Sequence, residues 1–265
     1  MRTYRLAGIA LLAVLAAACP EDPPAPPVGD LGLTQEGRLT ICSDLPYAPF
    51  EFEDPSAPSG YAGFDIEIME AIAAALDLEI AVVVTPFSAI DSGSALEAGT
   101  CDVLASAVTI TEERQQSIAF TESYLVVDQS LLVRTDDADT YDSLEALAGE
   151  SIGVQTDTTG AAYAEEHLPT GAEITEYPDA GAMFLALTAS AVEALLQDFP
   201  VNQYRALQDG TFVVTDQFPT EEPYGFGVSL DNDALLDAID NALADLRDDG
   251  TYDSIYATYF GEASG

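Results

Sequence analysis

The sequence has no lysine and no tryptophan, a single histidine (His167) and three cysteines. All seven basic residues are arginine, set against 47 Asp and Glu, for a formal net charge of −40. A chain this acidic repels phosphate backbones and anionic headgroups, so nucleic acid is excluded as a partner. One histidine leaves almost no material for a His-based metal site or a Ser-His-Asp triad. No metal and no cofactor is therefore expected. Beyond the N-terminus no run is apolar for 18 residues, so nothing else is long enough to span a bilayer. What is present is ample core material. Hydrophobic residues make up 48% of 265, enough for one large domain or two small ones.

Residues 1–18 read as a secretory signal. Arg2 and Arg5 precede an apolar run from Leu6 to Ala18 that is too short for a membrane helix. Small residues then lead into a cysteine, Leu15-Ala16-Ala17-Ala18-Cys19. Two readings stand: cleavage before a lipidated Cys19, as in bacterial lipoproteins, or ordinary cleavage after Ala18. Residues 19–37, with five prolines and several acids, read as an extended tether. With Cys19 lipidated, Cys42 and Cys101 remain, either bridged or as two buried thiols. A bridge across that separation would stabilise by about 4 kcal/mol in the chain-entropy model.

From Arg38 onward, short β-branched runs alternate with helical patterns. Strands are expected at 39–43, 79–85, 102–107, 125–133, 151–155, 192–197, 211–215 and 225–229. Phe64, Ile68, Ile72 and Leu76 recur every four residues, and Leu235, Ile239, Ala242, Leu243 and Leu246 share a helix face. A last helix carries Tyr252, Ile255, Tyr256 and Tyr259. Alternation of this kind predicts an α/β fold with mostly parallel sheets. Two units are expected, the first interrupted by the second and rejoined near Pro223-Tyr224.

Two segments after strands carry chemistry. Ser43-Asp44-Leu45-Pro46-Tyr47-Ala48-Pro49-Phe50-Glu51-Phe52 is too proline-rich to be a helix, and presents rings and a carboxylate where α/β sheets bind ligands. Ser106-Ala107-Val108-Thr109-Ile110-Thr111-Glu112-Glu113-Arg114 holds the only basic residue between Arg38 and Arg134. Its guanidinium suits bidentate capture of a carboxylate. The plainer alternative is a surface arginine paired with glutamate.

These segments resemble the family-3 extracellular solute-binding proteins, the amino-acid-binding proteins of ABC transporters. The order runs from Ser43-Asp44-x-x-Tyr47-x-Pro49-Phe50-Glu51-Phe52 through Gly63-Phe64-Asp65, Thr109-Ile110-Thr111-Glu112-Glu113-Arg114 and Phe120-Thr121-Glu122-Ser123-Tyr124. It continues through Ile152-Gly153-Val154-Gln155, Glu222-Pro223-Tyr224-Gly225 and Asp249-Gly250-Thr251-Tyr252, covering about 38–261. The resemblance implies a two-lobed periplasmic-binding-protein fold of type II: lobe 1 from 38–124 with 224–265, lobe 2 from 129–219, and hinges at 125–128 and 220–223. It also makes the strands bearing Cys42 and Cys101 neighbours.

By the family pattern, Arg114 and Thr109, with backbone around Ser106 and Ala107, hold a ligand α-carboxylate; Thr158 and Thr159, after Gln155, reach it from lobe 2. Asp198 takes the α-ammonium, Tyr47 and Phe87 flank the ligand side chain, and Asp44 meets a polar one. The implied partners are an amino acid and an ABC permease, with membrane contact through a lipid anchor only. The implied protein is an extracytoplasmic monomer and not an enzyme. A cyclohexadienyl or arogenate dehydratase on the same fold, or a sensor acting on a membrane receptor, are the alternatives. With no lysine and no second cleft arginine, the ligand is expected to be polar neutral or basic rather than acidic. The chain departs from the pattern in a longer stretch over 88–96 with Gly93 within an expected helix, in Asp157 in place of a glycine, in Glu193 in place of an aspartate, and in having no turn glycine in 188–191.

Overall fold

The computed structural model describes residues 31–261. The expected signal segment, Cys19 and the first part of the expected tether lie outside them. In chain order the strands are β1 (Arg38–Ser43), β2 (Phe52–Glu53), β3 (Tyr61–Ala62), β4 (Glu79–Val84), β5 (Val103–Leu104), β6 (Ile118–Phe120), β7 (Leu125–Arg134), β8 (Ser151–Gln155), β9 (Glu173–Tyr177), β10 (Ala194–Asp198), β11 (Phe212–Tyr224) and β12 (Gly227–Ser229). The helices are α1 (Phe64–Ala75), α2 (Phe87–Asp91), α3 (Ser94–Glu97), α4 (Thr159–His167), α5 (Ala180–Thr188), α6 (Phe199–Asp209), α7 (Asp233–Asp248) and α8 (Thr251–Phe260).

Two five-stranded sheets result, ordered β4-β1-β5-β12-β6 and β11-β7-β10-β8-β9. Each is mixed. β4-β1-β5 and β10-β8-β9 are parallel, whereas β12 and β7 pair antiparallel with both of their neighbours. The antiparallel strands, which the expectation of mostly parallel sheets did not include, bring the chain across and back. β7 leaves the first sheet's neighbourhood for the second, and β11 returns beside it from Phe212↔Arg134 to Tyr224↔Leu125.

The helices pack by their apolar stripes. Phe64, Ile68 and Ile72 of α1 and Leu235, Ile239 and Leu243 of α7 are buried in the core of the first sheet. Asn232 caps α7 by accepting from the Leu235 N–H. α1 can start where it does because residue 63 is glycine. Its φ is +130°, and a Cβ there would lie 2.1 Å from the Phe50 carbonyl oxygen. A second core, with Leu131, Ile152, Val154, Ala194 and Leu196, sits on the other sheet.

The tether expected over 19–37 is too long at its C-terminal end. Leu31 is 7% exposed within the first core, its carbonyl accepts from Asn232 Nδ2, and the Thr34 N–H donates to Asp102. An apolar residue after the prolines gives the chain a reason to dock. Cys42 and Cys101 form a disulfide with Cα atoms 5.7 Å apart and a sequence separation of 59.

Candidate functional site

The C-terminal ends of the parallel strands of both sheets face one another, and the loops that follow them line a small, nearly closed pocket. All eleven residues expected at the site surround it: Asp44, Tyr47, Phe87, Ser106, Ala107, Thr109 and Arg114 on one wall, Gln155, Thr158, Thr159 and Asp198 on the other.

On the first wall, the loop after β1 is folded back by the Tyr47 N–H donating to the Glu51 carbonyl at 2.8 Å. This turn carries Asp44 and Tyr47 to the pocket. The Asp44 N–H donates to Ser106 Oγ at 2.9 Å, and Ser106 Oγ donates its own proton to Glu51 Oε1 at 2.7 Å. The Ser106 hydroxyl therefore has no proton for a ligand, and any donor from this turn is backbone. Ala107 holds a left-handed φ of 48°, supported by its N–H donating to Asp65 Oδ2 at 2.8 Å.

Arg114 is not a surface residue paired with glutamate. It is 5% exposed, its guanidinium lies 5.3 Å from the Phe87 ring centroid, and Nε donates to Asp91 Oδ1 at 2.8 Å. Nη1 donates to the Thr109 carbonyl at 2.9 Å and Nη2 to the Asp157 carbonyl of the opposite wall at 3.3 Å. Of five guanidinium N–H groups, three are engaged; each terminal nitrogen keeps one, the arrangement that receives a carboxylate. Gly93, left-handed at φ 73°, separates α2 from α3, so α2 ends at Asp91 beside that guanidinium. The place of Asp91 beside Arg114 thus follows from the departure in the helix pattern.

On the second wall, α4 points its N-terminus at the pocket. Thr158 caps it, accepting from the Ala161 N–H at 3.1 Å while donating to the Gln155 carbonyl at 2.8 Å. The partial positive charge of that helix end favours an anionic group. Gln155 Nε2 donates to Asp44 Oδ2 across the cleft, and the Tyr47 hydroxyl donates to Asp198. Thr109 Oγ1 and Thr159 Oγ1 stand 3.5 Å apart. The walls are therefore in contact.

Burial sets the charge state. Desolvation raises Asp198 to about 6, helped by the nearby Glu222 charge and opposed by Tyr224, Tyr47 and Gln129. The Tyr224 hydroxyl meets no partner in hydrogen-bond geometry, yet lies close enough to hold that carboxyl down. Asp44 is also raised to about 6, mainly by desolvation, with Gln155 opposing and Asp179 adding repulsion. Beneath them, burial raises Asp65 to about 7 and pushes Glu51 well above its usual range. One cation and two ionisable carboxylates thus face one small pocket.

Thr109 is engaged within the protein. Its hydroxyl proton goes to Glu222 Oε2 at 3.0 Å, so the oxygen is left to accept, not to donate to a carboxylate. Five polar groups around the site were not anticipated in any role: Glu51, Asp65, Asp91, Gln129 and Glu222. Glu51, Asp65 and Glu222 lie inside the motifs that carry the resemblance, which gave their order and not their contacts. Gln129 lies within a strand of mostly apolar alternation and has no local signal.

The family model of bacterial extracellular solute-binding proteins, family 3, matches residues 39–262. The histidine-binding periplasmic protein of Salmonella typhimurium is 30% identical over 232 residues, 84% of this chain and 87% of that protein. Among solved structures, an ancestral arginine-binding protein bound to glutamine is 30% identical, with a TM-score of 0.79 over 86% of this chain and 100% of that one. An ancestral amino-acid-binding protein, a precursor of cyclohexadienyl dehydratase, is 33% identical, with a TM-score of 0.75 over 84% of this chain and 95% of that one. A two-lobed fold, a cleft with an arginine on one wall and an aspartate on the other, and a match along nearly all the described residues agree: this chain belongs to the bacterial extracellular solute-binding proteins of family 3.

Proposed function

We propose that this protein binds a free L-α-amino acid between its lobes, outside the cytoplasm, and delivers it to an ABC transporter permease. The observation that carries this reading is the placement of Arg114 and Asp198 on opposite walls of one pocket. An amino acid is a zwitterion, and needs a fixed cation and a fixed anion a few ångström apart. The two remaining N–H groups of Arg114 and the α4 N-terminus receive the carboxylate; Asp198 receives the ammonium. Thr109, with its proton engaged, accepts from the ammonium. Lobe closure buries both pairs, and low dielectric strengthens them.

The side chain meets Asp44, Gln155, Tyr47 and Phe87. No second cation lines the pocket, so a side-chain carboxylate would face Asp44 unpaired. The ligand is a polar neutral or basic amino acid. A thermal-shift screen of the twenty amino acids, followed by calorimetry, tests this. Stabilisation by glutamate or aspartate above glutamine, arginine, lysine and histidine overturns the ligand class, and no stabilisation by any overturns the function.

A dehydratase is the second reading, favoured by the resemblance to the dehydratase precursor and by an Asp44 raised to about 6. Turnover of prephenate or arogenate by the purified protein would establish it. Binding in place of catalysis fits better, because Asp44 already receives an amide hydrogen from Gln155. Lipid attachment at Cys19 is proposed from the small residues that precede it. A Cys19→Ser variant should then appear in the soluble fraction, and retention on the membrane with normal processing rejects the anchor.

A further inference from the structure

The two strands that join the sheets each carry a polar side chain that hydrogen-bonds to a residue lining the pocket. Glu222 comes from β11 and Gln129 from β7. The backbone of β11 is irregular where this happens. Its register against β7 shifts between Phe218 and Glu222, and Glu221 is left-handed at φ 50°. Extra residues in one strand turn a side chain away from the direction the ladder would impose.

Hydrogen bonds connect these two residues to both walls. Thr109 Oγ1 donates to Glu222 Oε2 at 3.0 Å, and Gln129 Nε2 donates to Glu222 Oε1 at 3.0 Å. The same nitrogen donates to Asp198 Oδ1 at 2.5 Å. Gln129 has two amide hydrogens, and each has a carboxylate to meet. Its carbonyl oxygen is buried without a partner, which marks the donors as the end that is used. Glu222 accepts from two donors, one through each oxygen. An amide in its place has a single acceptor oxygen and cannot serve both.

We infer that Glu222 and Gln129 are positioning residues of the clamp, a relay from Thr109 on one wall to Asp198 on the other that holds the ammonium acceptors in place when the lobes close. The inference rests on the amino-acid reading of the site. It assigns the hinge strands a part in ligand affinity as well as in connecting the lobes.

The two residues act on Asp198 in opposite senses. The Glu222 charge adds to desolvation in raising the Asp198 carboxyl, whereas Gln129, with Tyr47 and Tyr224, lowers it. Glu51 stands behind Tyr47, and its charge is felt there. Only ionised Asp198 pairs with an ammonium, so affinity falls as pH drops through about 6. Removing the Glu222 charge moves this fall to lower pH; removing the Gln129 donor moves it to higher pH.

Calorimetric titration of the full chain with L-arginine and with L-glutamine, from pH 5 to pH 8, tests the relay in Glu222→Gln and Gln129→Met variants. Each variant should bind about tenfold more weakly at pH 7. The acid limb should shift down for Glu222→Gln and up for Gln129→Met. Circular dichroism melts report whether the variants fold. Should the buried Gln129→Met fail, the limb of the partly exposed, near-isosteric Glu222→Gln decides alone. Wild-type affinity with unshifted limbs, or limbs that shift the same way, overturns the relay while leaving the clamp intact. A wild-type protein that binds neither of these nor any other of the twenty amino acids overturns the clamp reading and the relay together.

Discussion

Arg114 and Asp198 are 5% and 7% exposed, and each is oriented by the protein before any ligand arrives. Arg114 is held by Asp91 and two backbone carbonyls; Asp198 by Tyr47 and Gln129. Truncating either leaves one end of a buried zwitterion without its counter-charge. Arg114→Ala and Asp198→Ala are each expected to weaken amino-acid binding by about 2–5 kcal/mol, read by calorimetry. An unchanged affinity in either variant shows that the ligand binds elsewhere. Residues that break the family's glycine pattern are accommodated at the same scale. Asp157 takes a left-handed φ of 62° where a glycine is common, and Ser190 does so at 54° in the turn that lacks one. Short polar side chains tolerate that region better than branched ones.

At the scale of elements, periodicity made the long helices legible. The apolar stripes read for α1 and α7 are the faces that pack. The short elements were not legible. The run expected as a strand over 102–107 is a strand only at Val103–Leu104, because Ala107 turns left-handed to meet Asp65. β9 carries two glutamates and no buried residue along Glu173–Tyr177, and was missed. The β2–β3 ladder is only two residues long on each side, below any periodic signal. The disulfide ties the buried middle of the first sheet to the turn before β5, with both cysteines nearly inaccessible. The Cys42→Ser/Cys101→Ser pair is expected to lose about 2–5 kcal/mol of folding stability in denaturant titration. Thiol alkylation of the unreduced native chain should find no free sulfur at either position.

For the whole molecule, the acidic groups act together on stability. Asp44 and Asp198 titrate at about 6 and Asp65 at about 7 in the folded protein, against 3.8 for an ordinary aspartate. A carboxyl whose folded value is raised binds more protons folded than unfolded. Its stabilisation is present at low pH and lost as pH rises through the folded value. Ligand-free protein should therefore melt at a lower temperature at pH 8 than at pH 5. The net charge of −40 acts in the same direction. A bound ammonium reverses the trend at Asp198, so the rise in melting temperature on adding an amino acid should grow from pH 5 to pH 8. Melts with and without ligand at three pH values check both slopes. A ligand shift that shrinks as pH rises contradicts the assignment of Asp198.

The amino-acid order alone determined the class of fold, the helix faces and the eleven residues that ring the pocket. These follow from local periodicity and from motifs whose order along the chain is itself the signal. What only the tertiary structure decided is which proton each group has left to give. Ser106 and Thr109 are hydroxyls in either description, and their donors are already taken by Glu51 and Glu222. The hydrogen bonds that join residues 109, 129, 198 and 222 span up to 113 positions. Pairings of that range depend on how two sheets face each other, and on a three-residue irregularity in one returning strand. No local pattern encodes either, because both arise only when the lobes are packed and closed.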